Sequence, residues 1–276
     1  MALRPNFSSV MVTLLGRHKP VIGMVHLAAL PGSPFYGGLN DQQILDAARR
    51  DVEVLAAAGF DAISFSNEGD RPYQTEVPRE TVALYTRLVF ELSRGLPIPF
   101  GCGLLIDPFA TLAAARAVGA DFARITYGVT AGTFGLLHDS AGEVLRYRQR
   151  IAAGGVRLFV NLSPHFASSL DARPPAEVAR TCWAMTQPDA IQVHGAGAGA
   201  AADLDVVREV KAALPAVPVI VASGVTLESL PAALAAGDGL IVGSAIKEEG
   251  RTWGAVDPGR ARAFIERAKA LRAADA

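Results

Sequence analysis

The sequence predicts a (β/α)₈ barrel, and three observations carry that expectation. Eight short, β-branched, apolar segments alternate with eight stretches that have the apolar spacing of helices. No change of composition divides the 276 residues, a length that suits one barrel domain over 1–276. The last two strand-like segments each end in a small-residue turn, Ser223-Gly224 and Gly243-Ser244, the pattern of the phosphate cradle after strands seven and eight of many barrels. An open doubly wound sheet is the alternative.

Residues 1–20 read as an extension. Within it, Phe7, Val10, Met11, Leu14 and Leu15 have the spacing of an amphipathic helix lying under the barrel floor. The first strand is Val21 to His26. The segment 27–41 has prolines, glycines and no periodicity, and is expected to be a lid. The next helix, Ile44 to Ala58, is capped by Asn40 or Asp41 and stopped by Gly59. Strand two spans Asp61 to Glu68, with Ser64, Ser66 and Glu68 on one phase, which is expected to face the barrel interior. Helix and strand then alternate as Pro78 to Arg94, Ile98 to Leu105, Pro108 to Val118 and Phe122 to Tyr127. A second long loop, 128–140, leads to the helix Ala141 to Ala153 and the strand Val156 to Leu162, whose following loop carries His165. Pro174 to Met185, Ala190 to His194, Leu204 to Ala213, Val217 to Ala222, Thr226 to Ala236, Leu240 to Val242 and Gly259 to Leu271 complete the alternation.

With 26 basic and 27 acidic residues the formal charge is −1, which argues against a nucleic-acid surface or an anionic-membrane anchor. No apolar run reaches the roughly 20 residues of a spanning helix, and no signal peptide is legible, so a cytoplasmic protein is expected. Cys102 and Cys182 lack CxxC spacing and read as reduced core residues. The oligomeric state is left open, a homo-oligomer included.

In a barrel the chemistry stands at the C-terminal ends of the strands. The sequence puts His26, Asn67, Glu68, Asp70, Asp107, Arg124, Thr126, Asn161, His165 and His194 there. A charge aimed into a barrel needs a partner, and Glu68 with Arg124 is the pair on offer. Glu68 is read as general acid or base with His194 as its counterpart, and Asp70, His26 and Arg124 as further catalytic candidates. Asn67, Asn161 and Thr126 are expected to line the pocket. Ser223, Gly224, Gly243 and Ser244 supply backbone N–H groups and hydroxyls to a phosphate, with Lys247 as counter-charge. A polar layer without chemistry would hold the same residues.

Metal binding through His26, Glu68 and His194 lacks HxH or HExxH spacing and is not the leading expectation. The run from His194 to Ala200 mimics a dinucleotide fingerprint, but the next strand ends in Ala222-Ser223 rather than an acid, so a phosphate or ribose lip is expected and no cofactor. Lys19, Lys211, Lys247 and Lys269 are the only lysines and none falls in a strand, which disfavours a Schiff-base aldolase.

The segments GMVHLAALPGSP, ISFSNEGDRPY, DAIQVHGAGAG, VASGVT and DGLIVGSAIKEEG resemble the BtpA/SgcQ family, from about Lys19 to the final helix. The resemblance implies a (β/α)₈ barrel. It also implies kinship with a branch associated with photosystem I biogenesis in cyanobacteria and with another found among sugar-uptake and sugar-phosphate genes. His26, the run Asn67 to Asp70, Ser223-Gly224 and Gly243-Ser244 fall on the recurring segments. The chain departs from the family pattern at GLLIDP after strand three and at TAGTFGLLHD after strand four, as a divergent member would. Three functions are consistent with all this: an isomerase or lyase acting on a small phosphorylated metabolite, a non-catalytic biogenesis factor, and a metal-assisted hydrolase.

Overall fold

A computed structural model describes residues 18–162 and 166–274. The expected helix at 6–16 and His165 lie outside the described residues. The barrel strands are β1 (Val21–His26), β2 (Ala62–Ser66), β3 (Phe100–Gly103), β4 (Phe122–Ile125), β7 (Arg157–Asn161), β9 (Ala190–Val193), β10 (Val219–Val221) and β11 (Gly239–Val242). Every pairing among them is parallel, and they close in the order β1-β11-β10-β9-β7-β4-β3-β2. The helices are α1 (Asp41–Ala58), α2 (Arg79–Ser93), α3 (Pro108–Val118), α4 (Ala141–Arg150), α5 (Pro175–Thr186), α6 (Leu204–Ala213), α7 (Leu230–Ala236) and α8 (Pro258–Ala274).

The period of two along each strand sorts the side chains into two cores. Val21, Val25, Ile63 and Phe65 point outward and pack against the helices, while Ile22, Met24, Ala62, Phe122 and Phe159 fill the barrel interior. Phe122 and Phe159 stack at 4.5 Å and plug the floor. Gly101 makes room for that plug, because a Cβ there would lie 2.1 Å from the Phe122 ring. Above the plug the same inward phase turns polar, through Ser64 and Ser66 on β2, Arg124 on β4, Asn161 on β7 and Gln192 on β9. This gradient delivers polar side chains to one end of the barrel, the end where the strands finish.

At the other end a repeated device sets the register. Asp61, Asp121, Asp189 and Asp238 each stand just before a strand and accept the backbone N–H at or near the start of the neighbouring strand, from Val21, Phe100, Leu158 and Val219 at 2.8 to 3.0 Å. Strand-end N–H groups that would otherwise lack partners are thereby satisfied.

Three elements differ from expectation. The loop after β4 contains a hairpin, β5 (Thr130–Gly132) and β6 (Gly135–Leu137), and β8 (Ala167–Ser169) from the loop after β7 joins it in a three-stranded antiparallel sheet. Helix α7 begins at Leu230 rather than Thr226, since Thr226 and Ser229 hydrogen-bond one another in a turn and Pro231 occupies the first helical turn, where its missing N–H costs nothing. The segment 27–40 does not close the mouth. Leu30 N–H is held by Asp70 at 2.6 Å, and the segment lies against the β2 loop instead.

Candidate active site

The mouth of the barrel encloses ≈ 830 Å³ of empty space, part of it open to solvent. His26, Glu68, Arg124, Thr126 and Asn161 line it from the strand ends, with Ser223, Gly224, Gly243 and Ser244 on the β10 and β11 side. Its cover is the small antiparallel sheet and the turn before β8, through Thr130, Phe134, Leu137 and Phe166. The lid therefore comes from the loops after β4 and β7.

Glu68 follows β2 and is buried, at 6 % exposure. Ser66 Oγ donates to its Oε2 at 3.1 Å and the Tyr73 hydroxyl to its Oε1 at 3.0 Å. Trp253 Nε1 donates to its carbonyl oxygen at 3.0 Å, which fixes the backbone as well. Burial holds the carboxyl above the usual carboxylate range; the two hydrogen bonds and the Arg124 charge pull the other way without cancelling it. Tyr73 is a site residue that strand periodicity does not reveal, because it stands on a loop. It does end the ISFSNEGDRPY segment on which the family resemblance rests.

Arg124 rises from β4 into the centre of the mouth. Its Nε donates to Gln192 Oε1 at 2.9 Å and its Nη1 approaches Met24 Sδ at 3.2 Å. The expected contact with Glu68 is not made: among the described residues the two act on each other electrostatically, with no direct ion pair. Glu68 is instead taken by Ser66 and Tyr73, and Arg124 by Gln192. Burial lowers the guanidinium to about 10, with Glu68 opposing that shift. A cation in this position, without a bonded carboxylate, has donors that can take an anionic group.

His26 Nδ1 meets the carbonyl of Thr252 at 2.8 Å, and since a carbonyl only accepts, that nitrogen carries the proton. His194 stands differently from expectation. Its Nε2 meets Asn161 Oδ1 at 2.7 Å, and Asn161 Nδ2 donates to Thr126 Oγ1 at 2.7 Å. His194 thus stands behind Asn161 and faces a separate crevice toward α5 and α6, so it orients the pocket wall rather than opposing Glu68.

Asn67 and Asp70 also lie outside the pocket lining. Asn67 accepts from Leu105 N–H at 2.7 Å and donates to Asp70 at 3.3 Å, so together they staple the loops after β1, β2 and β3. Asp107 caps α3 through Ala110 N–H. Lys247 is fully buried, with Nζ on Gly254 O at 3.1 Å and 3.8 Å from Asp51 of α1. Its ammonium is within the barrel wall and outside the mouth lining, because the first turn after β11 (Ser244–Ile246) carries it past the rim.

The small turns behave in part as expected. Ser223 Oγ accepts from Gly195 N–H at 2.7 Å and donates to Ala200 O at 2.8 Å, so its proton is committed to the loop after β9. That loop lies so close that a Cβ on Gly224, at φ +64°, would fall 2.3 Å from Ala201 N. Ser244 Oγ shares a hydrogen bond with Thr252 Oγ1 at 2.8 Å. The backbone N–H groups of Gly224, Val225, Ser244 and Ala245 meet no acceptor among the described residues. Metal-ligand types do not converge: among the described residues no three His, Cys, Asp or Glu side chains gather into a metal site.

Fold and site define a class, a (β/α)₈ barrel with a covered, ionisable mouth at the C-terminal ends of its strands. The model of the BtpA family matches residues 17–270, and the chain belongs to that family. It is 36 % identical to the sgc region protein SgcQ of Escherichia coli strain K12, over 94 % of this chain and 97 % of that one. It is 32 % identical to the photosystem I biogenesis protein BtpA of Synechocystis, over 90 % and 88 % of the two chains. Among solved structures, phosphoribosyl anthranilate isomerase from Thermus thermophilus superposes with a TM-score of 0.58, covering 91 % of this chain and 99 % of that one at 16 % identity, a likeness of fold.

Proposed function

We propose that this protein is an enzyme acting on a small phosphorylated metabolite, a sugar phosphate or ribose-phosphate derivative, by acid-base chemistry of the isomerase or lyase type. The observation that carries the reading is the meeting, in one covered pocket, of a buried carboxyl held toward its protonated form, Glu68, and a half-buried guanidinium with no carboxylate bonded to it, Arg124. The unpaired N–H groups at Gly224-Val225 and Ser244-Ala245 suit a phosphate oxygen, and the sugar carbon skeleton then extends toward Glu68. Glu68 gives or takes the proton at that carbon, while Arg124 and the Thr126 hydroxyl stabilise the negative charge that develops on oxygen. The fold neighbour whose name specifies an isomerase of a phosphoribosyl compound adds support by analogy alone.

A role confined to biogenesis or docking, which the name of the Synechocystis relative suggests, needs no ionisable pair of this kind inside a covered pocket. The test is a thermal-shift screen of sugar phosphates and ribose phosphates, followed by turnover assays on each ligand that stabilises the protein. We expect a stabilising ligand to be converted by the native protein. Glu68→Gln should bind it within a few-fold of native affinity and turn it over about 10²- to 10⁴-fold more slowly. A Glu68→Gln protein with native turnover contradicts the assignment.

A further inference from the structure

A second groove lies on the same face as the mouth, on the far side of His26, between the loops after β1, β2 and β11 and the helix α1. Its distinguishing group is Arg71. The guanidinium is stacked between two aromatic rings, 3.6 Å from the centroid of Trp253 and 4.3 Å from that of Phe35. Both faces of the cation are therefore covered, and only its edge remains to bind anything. Among the described residues that edge has no hydrogen-bond or ion-pair partner, and Nε is buried without an acceptor. Arg50 of α1 lines the same groove and likewise closes no hydrogen bond or ion pair among the described residues. The acid in the lining, Asp51, is already engaged by Val256 N–H at 2.8 Å and by Lys247.

An arginine used only to pin loops is ordinarily completed by a carboxylate or a carbonyl; here the rings hold the fork flat and leave its donors unspent. We infer that this groove is a second anion site, separate from the mouth, which takes a carboxylate or phosphate group end-on at the paired Nη–H groups of Arg71, with Arg50 as the second cation. Planarity and the bidentate edge select a flat or tetrahedral oxyanion over a halide. Trp253 and Phe35, 50 % and 58 % exposed, form apolar walls on either side of the anion's seat, so the ligand carries a small apolar body next to its charged end. This site stands on its own observations and does not depend on the chemistry proposed for the mouth.

Trp253 also serves as the reporter, since the chain has only two tryptophans and Trp183→Phe leaves it as the single one. The Trp183→Phe protein is titrated with inorganic phosphate and, separately, with butyrate, and Trp253 fluorescence is followed. We expect a saturable change with at least one anion. In Arg50→Gln, which leaves the ring stack intact, and in Arg71→Gln, checked for folding by near-ultraviolet circular dichroism, the midpoint should weaken by about tenfold or more. In Arg124→Gln, which alters the mouth and not the groove, the titration should be unchanged. Saturation by butyrate as well as phosphate identifies a general oxyanion site, and saturation by one alone names the class it prefers. A response that is absent for both anions, or equal in the Arg50 and Arg71 variants and the parent, overturns the inference. So does a response lost in Arg124→Gln and retained in the Arg50 and Arg71 variants, which would place the anion in the mouth and leave that reading standing.

Discussion

Glu68 and Arg124 share one pocket yet are each bonded to neutral neighbours, Glu68 to Ser66 and Tyr73 and Arg124 to Gln192. That separation decides what a mutation does. Glu68→Gln strands no bonded partner charge, so its cost in stability should stay within about 1–2 kcal/mol rather than the 3–5 kcal/mol of a broken buried ion pair. The pH dependence follows from the raised carboxyl. A group whose folded pKa exceeds its unfolded one binds more protons when folded, so its contribution is complete below the unfolded value and is lost as pH rises through the folded value. Urea unfolding between about pH 4 and pH 8 should therefore show native stability falling with pH more steeply than that of Glu68→Gln. Identical slopes would mean that the carboxyl is not held up by burial. Glu68, Arg124 and their common phase were legible in the sequence, since alternation alone assigns faces. Their actual partners were not, because Tyr73 and Trp253 come from loops whose course no periodicity encodes.

At the scale of elements, strands and helices were read to within a few residues wherever an apolar period ran longer than a turn or two. Val21–His26 and Pro108–Val118 are examples, the latter bounded by Asp107 and Gly119. The lid sheet was missed for a physical reason. Its strands are three residues each, built from Thr, Ala, Gly, Ser and Leu, too short to display alternation and too small-residue-rich to signal β structure. The Asp residues that precede strands carry no periodic signal either, although each fixes the register of a neighbour. Asp121→Ala, which removes the acceptor of Phe100 N–H, should cost about 1.5–3 kcal/mol by chemical denaturation, whereas Asp121→Asn, which keeps an amide oxygen there, should cost less. Equal effects of the two would show that the hydrogen bond sets nothing.

For the whole molecule, the closing contact between the last strand and the first helix runs through Lys247, which the sequence places close to a phosphate turn and the fold draws into the wall. Sequence distance from Gly243-Ser244 is short, but a 3₁₀ turn at Ser244–Ile246 intervenes, and Asp51 of α1 is the charge within reach. Burial lowers the Lys247 pKa and raises that of Asp51, as for a pair taken out of water. Lys247→Met should therefore destabilise the protein by about 3–5 kcal/mol, and Asp51→Leu with Lys247→Met should recover much of the loss. A Lys247→Met protein of native stability with weakened phosphate binding would restore the counter-charge role.

A crystal structure grown in high inorganic phosphate tests most directly whether the mouth anchors a phosphate opposite Glu68. We expect a phosphate ion within hydrogen-bonding distance of the N–H groups of Gly224, Val225, Ser244 and Ala245, on the β10 and β11 side of the mouth, where it adjoins a second crevice lined by all four residues. A well-ordered structure under those conditions with the mouth free of phosphate would contradict it.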